Sequence, residues 1–287
     1  MEPVRIIAVE NTLGECPLWD ARTQSLWWTD IQARQLLRYD AEDQVTRFTT
    51  PERLCSFGFT QAAGTLIAAF ESGLALYAPE TQAVTWLARP ALPPGVRFND
   101  GRVDRQGRFW SGTMVEADGA PPRGTLYRLD AARVLTEHEH GIAISNSLCW
   151  SPDGTRLYFA DSPRRTIFVY DFDTAAGTLS NRRIFATTPE GAYPDGANVD
   201  SEGYLWSAHW GAGRVVRYAA DGTVDRVLEL PAEQPSCVAF GGPDLDLLFV
   251  TTARDGLTPE ALARQPHCGN VFVYKVGVRG LPDGRFA

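Results

Sequence analysis

The chain carries the run LWWTD at residues 26–30, and five further runs of the same kind recur along it: LIAAF (66–70), FWSGT (109–113), LYFAD (157–161), LWSAH (205–209) and LFVTT (248–252). Their starts lie 40 to 48 residues apart. Aromatic and β-branched residues favour strands, and a turn with Gly, Pro or Asp precedes each run. A second apolar run precedes each turn, and a third run, usually ending in Tyr, follows each quoted run. A fourth, weaker run comes next in most repeats, such as RVLEL (226–230). Four short strands per repeat are typical of propeller blades, so the pattern predicts an all-β, six-bladed β-propeller.

The two ends of the chain indicate how the ring closes. The last repeat ends soon after its third run, VFVY (271–274), while a spare apolar stretch, VRIIAV (4–9), precedes the first repeat. We expect this N-terminal strand to complete the last blade, because an unpaired strand edge invites aggregation. Residues 1–287 would then form a single propeller domain. The alternative all-β fold, a two-sheet sandwich, does not account for six repeats in phase. Residues 258–264 could form one short helix.

Composition limits the partners. A formal net charge of −8 and a pI of about 5.1 argue against nucleic acid and anionic membrane surfaces, which require clustered Lys and Arg. No apolar run approaches the roughly 18 residues of a membrane span, and the N-terminal apolar run is too short for a signal peptide. We therefore expect a cytoplasmic protein, a monomer or weak homodimer. The five cysteines are widely spaced and are expected to be buried reduced thiols.

The phase of the repeats predicts a polar site on the propeller axis, where each innermost strand begins. Counting back 10 to 12 residues from each run leads to Glu15, Ser56, Asn99, Asn146, Asp195 and Ser236. Four of these, in repeats 1, 3, 4 and 5, carry the carboxylate or carboxamide oxygens that hard divalent cations prefer. No His or Cys joins them, which disfavours a thiolate zinc site. Taken singly, Asn99 and Asp195 could instead belong to turns, since each precedes or adjoins a Gly.

Two long loops are expected on the same face, at residues 115–124 and 253–269, and could form substrate walls. Arg97 and Glu116 would lie beside them, with solvated surface charge as the alternative. His209 and Trp210 begin the corresponding loop of repeat 5, where lining a pocket and packing are equally plausible.

Dispersed motifs along nearly the whole chain resemble those of the gluconolactonase, senescence marker protein (regucalcin) and sugar lactonase family. They are GECP (14–17), RFNDG (97–101), GTM (112–114), ISN (144–146), SNRR (180–183), YPDG (193–196), TARDG (252–256) and RQP (264–266). The resemblance implies a six-bladed propeller that hydrolyses sugar lactones to sugar acids with one divalent metal ion in its channel. The ion could be Ca²⁺, Zn²⁺, Mn²⁺, Mg²⁺ or Fe²⁺.

The same resemblance implies roles for individual residues. Glu15, Asn146 and Asp195 match the metal ligands, and Asp195 also matches the general base. Asn99 would lie close to the metal and the substrate. Arg97 and Glu116 match positions that contact substrate hydroxyls. The sequence leaves open which sugar lactone is cleaved, and whether Asp195 or the ion activates the attacking water.

Other functions remain open at this level. A Ser nucleophile has no support, because the chain lacks a GxSxG motif. One alternative is a calcium-dependent esterase or phosphotriesterase on the same fold, which a more apolar pocket would favour. Another is a non-catalytic propeller that binds calcium, because a fold alone does not determine function.

Overall fold

The computed structural model describes residues 1–117 and 119–287. Its strands are arranged in six four-stranded antiparallel sheets, which confirms the predicted six-bladed β-propeller. In chain order the strands are β1 (Arg5–Ile7), β2 (Gly14–Asp20), β3 (Ser25–Asp30), β4 (Gln35–Tyr39), β5 (Val45–Thr49), β6 (Leu54–Phe59), β7 (Leu66–Phe70), β8 (Gly73–Ala78), β9 (Ala83–Ala88), β10 (Val96–Val103), β11 (Phe109–Val115), β12 (Gly124–Leu129), β13 (Leu135–Ile142), β14 (Ser145–Trp150), β15 (Arg156–Asp161), β16 (Thr166–Asp173), β17 (Thr178–Thr187), β18 (Tyr193–Val199), β19 (Leu205–Trp210), β20 (Arg214–Tyr218), β21 (Val224–Glu229), β22 (Pro235–Gly241), β23 (Leu247–Thr252) and β24 (Val271–Lys275).

The N-terminal strand closes the ring, as the sequence predicts. Blades 1 to 5 are formed by consecutive groups of four strands from β2 to β21, whereas blade 6 has the order β22, β23, β24, β1. Strand β1 pairs antiparallel with β24, with Ile6 opposite Phe272. The paired segment is shorter than the apolar stretch at residues 4–9, although the Val4 N–H still donates to the Val273 carbonyl at 2.8 Å. A strand edge that would otherwise stay free is thereby covered.

The first strand of each blade lies innermost, and neighbouring inner strands pack against one another around the axis. All six inner strands contain one extra residue relative to their partner strand, close to their N-terminal ends. Such β-bulges interrupt the alternation of side chains and redirect them. Here they lie at the mouth of the channel, where the candidate site residues were predicted.

The opposite end of the channel is filled by the C-terminal segment. Asp283 forms an ion pair with the buried Arg102 at 3.3 Å, and the Phe286 N–H donates to the Phe59 carbonyl at 2.8 Å. The void that remains there, lined by the ends of β10, β14 and β18, measures only about 30 Å³. The channel therefore offers a usable cavity at one face.

Buried aromatic residues fill the space between blades, and two of them are tied to the hairpin turns. The indole N–H groups of Trp110 and Trp206 donate to Asp104 at 3.0 Å and to Asp200 at 2.8 Å. The same Asp side chains accept backbone N–H groups within their own turns, for example from Arg108 at 3.0 Å. One turn residue thus fixes both a hairpin and the core beside it.

The remaining predictions concern local elements. A 3-10 helix spans Ser162–Arg164, and α1 spans Pro259–Arg264 with Thr258 as its N-cap, close to the helix that the sequence predicted. All five cysteines are buried and free. In the part of the chain that the structure describes, none of the helices has the length and apolar character that a membrane-spanning segment needs.

Candidate active site

A cavity of about 540 Å³ opens at the face where the inner strands begin. It is lined by all six residues for which the sequence predicted a metal-binding, catalytic or substrate-binding role: Glu15, Arg97, Asn99, Glu116, Asn146 and Asp195. They come from blades 1, 3, 4 and 5 and are separated by up to 180 residues of chain. The structure thus brings the complete predicted set into one cavity.

The inner-strand bulges aim these side chains. Asn99 and Asp195 are unpaired bulge residues, while Glu15 and Asn146 immediately precede a bulge. The Asn-Asp-Gly and Pro-Asp-Gly segments therefore lie inside strands β10 and β18, so the turn alternative for Asn99 and Asp195 is wrong. Gly196 completes the second bulge, where a Cβ atom would overlap the Cys237 side chain.

Negative charge is concentrated on the floor of the cavity. Burial, and next the charge of Asp100, raise the pKa of Glu15 to about 8. Burial, followed by the charges of Glu15 and Asp100, raises the pKa of Asp195 well above its ordinary value. Among the described residues neither Glu15 nor Asp195 has an ion-pair partner. Glu15 Oε2 accepts a hydrogen bond from the Cys16 N–H at 3.1 Å. Buried like charges without a counterion raise each other's pKa.

Asp100 is a third carboxylate that the sequence interpretation passed over. Burial raises its pKa, and its Oδ2 accepts the Leu148 N–H at 2.9 Å. Its position next to Asn99 was visible in the sequence. In a regular strand, the alternation of side chains would point Asp100 away from Asn99. The bulge leaves both residues unpaired and breaks this alternation.

A chain of hydrogen bonds orients the two carboxamides. Arg97 donates to Asn99 Oδ1 at 2.8 Å, and Asn99 Nδ2 donates to Asn146 Oδ1 at 3.3 Å. Asn146 Nδ2 in turn donates to Ser162 Oγ at 2.8 Å, and Ser162 donates to the Pro194 carbonyl at 2.7 Å. Because Ser162 holds the amide nitrogen of Asn146, the end that can bind a cation is Oδ1, which has a second lone pair besides the one that accepts from Asn99.

Arg97 and Glu116 form a charged wall on the blade 3 side. Arg97 is only 5% exposed, so solvated surface charge is not its environment. Its Nε lies 3.2 Å from Glu116 Oε1, and Arg53 donates to the same carboxylate at 2.6 and 3.2 Å. The hydrogen bond from Arg53 is the main reason that the pKa of Glu116 is lowered. Arg53 also bonds Glu71 at 2.7 Å, which anchors the wall to blade 2.

His209 and Trp210 of blade 5, whose roles the sequence left open, have different environments in the structure. Trp210 lines the cavity, together with Tyr193. His209 is buried instead, lies 3.1 Å from the Tyr218 hydroxyl, and has its pKa lowered to about 3 by burial and by Arg214. A neutral imidazole held in this way has a packing role.

The donor set on the cavity floor fits a hard divalent cation. Across residues 1–117 and 119–287, no three His, Cys, Asp or Glu side chains are grouped closely enough to hold an ion by themselves. A cation at Glu15 and Asp195 would therefore need the carboxamide oxygen of Asn146 as well. Carboxylate and amide oxygens are the ligands that such ions prefer, and a cation would offset the repulsion that raises both carboxylate pKa values.

Known proteins resemble this chain along nearly its full length. Residues 13–254 match the family model described as the SMP-30/gluconolactonase/LRE-like region. The chain is 42% identical to an L-arabinolactonase of Azospirillum brasilense over 96% of this chain and 93% of that protein. It is 39% identical to a 6-deoxy-6-sulfogluconolactonase of Pseudomonas putida over 98% and 97% of the two chains.

A solved structure is similarly close. The calcium-binding protein regucalcin of Agrobacterium tumefaciens superimposes with a TM-score of 0.94 at 31% identity, over 99% of this chain and 97% of that one. Both the sequence similarity and the shared propeller fold extend over nearly the full length of the chain. The chain belongs to the SMP-30/gluconolactonase/LRE-like family, in which its relatives include sugar lactonases.

Proposed function

We propose that this protein hydrolyses sugar lactones to the corresponding sugar acids and uses one divalent metal ion. The observation that carries the proposal is a pair of carboxylates, the half-buried Glu15 and the buried Asp195, which share one cavity with the carboxamide of Asn146 and form no ion pair with the described residues. Relatives named as lactonases that align over almost the whole chain support the same reaction.

Glu15, Asn146 and Asp195 would hold the ion. When bound, a divalent ion supplies Lewis-acid stabilisation for the negative charge that develops on a lactone carbonyl oxygen. The chain contributes the geometry of this site through the three inner-strand bulges. Ser162 contributes by fixing the amide of Asn146.

Asp195 is our candidate for the proton transfers. It would accept a proton from the water that attacks the carbonyl carbon, and the same proton could pass to the ring oxygen when the ester bond breaks. The Asp195 backbone carbonyl accepts the Ser147 hydroxyl, which holds its strand in place beside blade 4.

Arg97 and Glu116 would bind hydroxyl groups of the substrate. One side chain supplies donors and the other supplies acceptors, so the pair can satisfy a hydroxyl that both donates and accepts. Their mutual contact and the contact of Glu116 with Arg53 keep both groups in position before the substrate arrives.

Two observations favour other candidates enough to test them. Leu13, Met114 and Ile144 give the cavity an apolar part that could admit an ester or phosphotriester. The regucalcin neighbour is described as a calcium-binding protein, which fits a non-catalytic role.

A pH-stat assay over a panel of aldonolactones, an aryl ester and a phosphotriester distinguishes these functions. We expect acid release from one or more aldonolactones, loss of that activity with a chelator, and recovery on adding back Ca²⁺, Zn²⁺, Mn²⁺, Mg²⁺ or Fe²⁺. Turnover that survives complete metal removal would contradict metal dependence. Tight calcium binding without any turnover would support the non-catalytic candidate.

A further inference from the structure

A second polar pair lines the cavity on the wall that faces Arg97 and Glu116. Asp255 lies in the long loop of blade 6, Gln32 follows β3 in blade 1, and both line the cavity. Gln32 Nε2 donates to Asp255 Oδ2 at 3.2 Å. Blade 6 stands three blades from blade 3 in the six-membered ring, so Asp255 lies across the cavity from Arg97 and Glu116, with Gln32 of the neighbouring blade 1 beside it.

Asp255 is held in place although its loop is long. Its backbone N–H donates to the Thr12 carbonyl at 2.9 Å, and its carbonyl accepts Gln234 Nε2 at 2.9 Å. Gln234 is buried and Thr12 belongs to the segment that leads into blade 1. The carboxylate therefore projects from a backbone fixed between blades 6 and 1, which is the kind of support that a binding residue needs.

The chemistry of this pair favours a neutral ligand rich in hydroxyl groups. Among the described residues, the recorded hydrogen-bond partner of the Asp255 carboxylate is the neutral amide of Gln32, and the neighbouring Arg254 is paired with Glu10 at 3.1 Å instead. Asp255 Oδ1 and Gln32 Oε1 thus accept no hydrogen bond from the described residues and remain available as acceptors on two side chains that line the cavity. Hydroxyl groups can donate to both, whereas an anionic substituent would meet an uncompensated carboxylate.

We infer that Gln32 and Asp255 determine substrate specificity by binding hydroxyl groups on the side of the lactone that faces away from Arg97 and Glu116. The inference rests on the proposed lactonase function. It limits the substrates to lactones that carry hydroxyl groups on both sides and no charge on the side next to Asp255. The two walls together would discriminate against lactones without hydroxyl groups, because an unpaired carboxylate beside an apolar substrate costs binding free energy.

The test compares wild type with Asp255→Ala, Asp255→Asn and Gln32→Ala on two substrates. One is the best aldonolactone of the panel, and the other is δ-valerolactone, which has no hydroxyl groups. For Asp255→Ala we expect KM for the aldonolactone to rise roughly 10- to 100-fold, the range for losing a hydrogen bond to a charged group, while kcat changes little. The ratio of kcat/KM between the two substrates should fall by a similar factor. Asp255→Asn, which keeps one acceptor, should lie between wild type and Asp255→Ala.

Asp246→Asn is the matched control. Asp246 belongs to the same blade but pairs with Lys275 at 3.1 Å, away from the cavity, so this variant should behave as wild type. If δ-valerolactone turnover is too slow to measure, the split between KM and kcat on the aldonolactone decides. A Gln32→Ala, Asp255→Ala double variant should lose less than the two single losses combined, because the two side chains act together.

Each outcome is informative. An unchanged KM for the aldonolactone in Asp255→Ala, or a loss in kcat alone with an unchanged ratio, overturns the inference while the proposed function stands. Absence of aldonolactone turnover in the wild type overturns the proposed function itself. Thermal unfolding and calorimetric metal binding of each variant show whether the fold and the cavity floor are intact.

Discussion

Blades 1, 3, 4 and 5 differ from blades 2 and 6 at the point where their inner strands begin. Each of the six inner strands contains one extra residue there, relative to its partner strand. In the first group the side chain at or beside the bulge is Glu, Asn, Asn or Asp, and it lines the cavity. In the second group it is Ser56 or Ser236, and neither of these serines lines the cavity.

The two serines are fully buried and serve the structure. Ser236 Oγ bonds the Gly14 carbonyl and lies 2.9 Å from Thr251 Oγ1, while Ser56 Oγ lies 3.4 Å from Ser111 Oγ. The difference teaches that the repeated fold supplies six comparable positions around the axis. The length and the charge of the side chain then decide whether a position becomes part of the site or part of the packing.

The largest effect is expected for the carboxylate of blade 5. Asp195→Asn keeps the size and one oxygen but removes the charge and the basicity, so activity should fall by at least about 100-fold. Metal affinity should also fall, because a carboxylate supplies much of the charge that holds a hard cation. Saturating metal should restore occupancy, measured by calorimetry, without restoring the rate in the pH-stat. Near-wild-type turnover of the metal-saturated variant would remove Asp195 as the base.

The carboxamide of blade 4 allows a finer test. Ser162→Ala leaves all proposed ligands in place but frees the Asn146 amide to rotate. Losing the hydrogen bond that orients a metal-binding side chain should weaken metal affinity roughly 10- to 100-fold, measured by calorimetry on metal-free protein. Ser180→Ala, an exposed serine of the same blade, is the control and should bind metal like wild type. Equal affinities in the two variants would show that Ser162 does not orient Asn146.

A smaller change is expected at the charged wall of blade 3. Arg97→Ala should raise KM for the preferred lactone by about tenfold, since it removes a charged hydrogen-bond donor. A guanidinium has no acceptor and cannot ligate a cation, so metal affinity should stay nearly intact. Arg183→Ala removes an arginine that forms an exposed ion pair and should leave both quantities unchanged. If metal affinity fell as far as activity, Arg97 would instead be a structural support for Asn99.

The smallest effect on activity is expected for the serine of blade 6. Ser236→Ala should leave the turnover rate within about twofold of wild type and lower the free energy of unfolding by about 1 kcal/mol, because the buried Gly14 carbonyl loses its partner. Thermal or denaturant unfolding measures the second quantity. A large loss of lactonase activity at unchanged metal affinity would mean that the inner strand of blade 6 contributes to the site after all.

Much of the arrangement could be predicted from the sequence because the repeats are periodic. Alternating apolar residues, turn residues and a spacing of about 40–48 residues predict the blades. The common phase of Glu15, Asn99, Asn146 and Asp195 predicts that they converge. Periodicity carries this information since each blade repeats the same backbone path, so equal positions in the repeat take equal places around the axis.

Other residues around the site depended on the tertiary structure. Asp100 enters the negative cluster only because a bulge leaves it unpaired beside Asn99. Arg53 reaches Glu116 across 63 residues of chain, and Gln32 reaches Asp255 across 223 residues. No repeat pattern marks such contacts, because they join loops of different blades and depend on where each side chain points.

The sequence by itself thus determined the number of blades, the closing strand and the four oxygen donors on the axis, because all of these follow from period and phase. Only the tertiary structure decided that Ser162 holds Asn146, that Arg53 anchors the Arg97–Glu116 wall, and that Gln32 and Asp255 meet in the same cavity. The physical reason is that hydrogen bonds and ion pairs require side-chain atoms within about 3 Å in a fixed orientation. Packing of the blades sets those distances, and the spacing of residues along the chain does not.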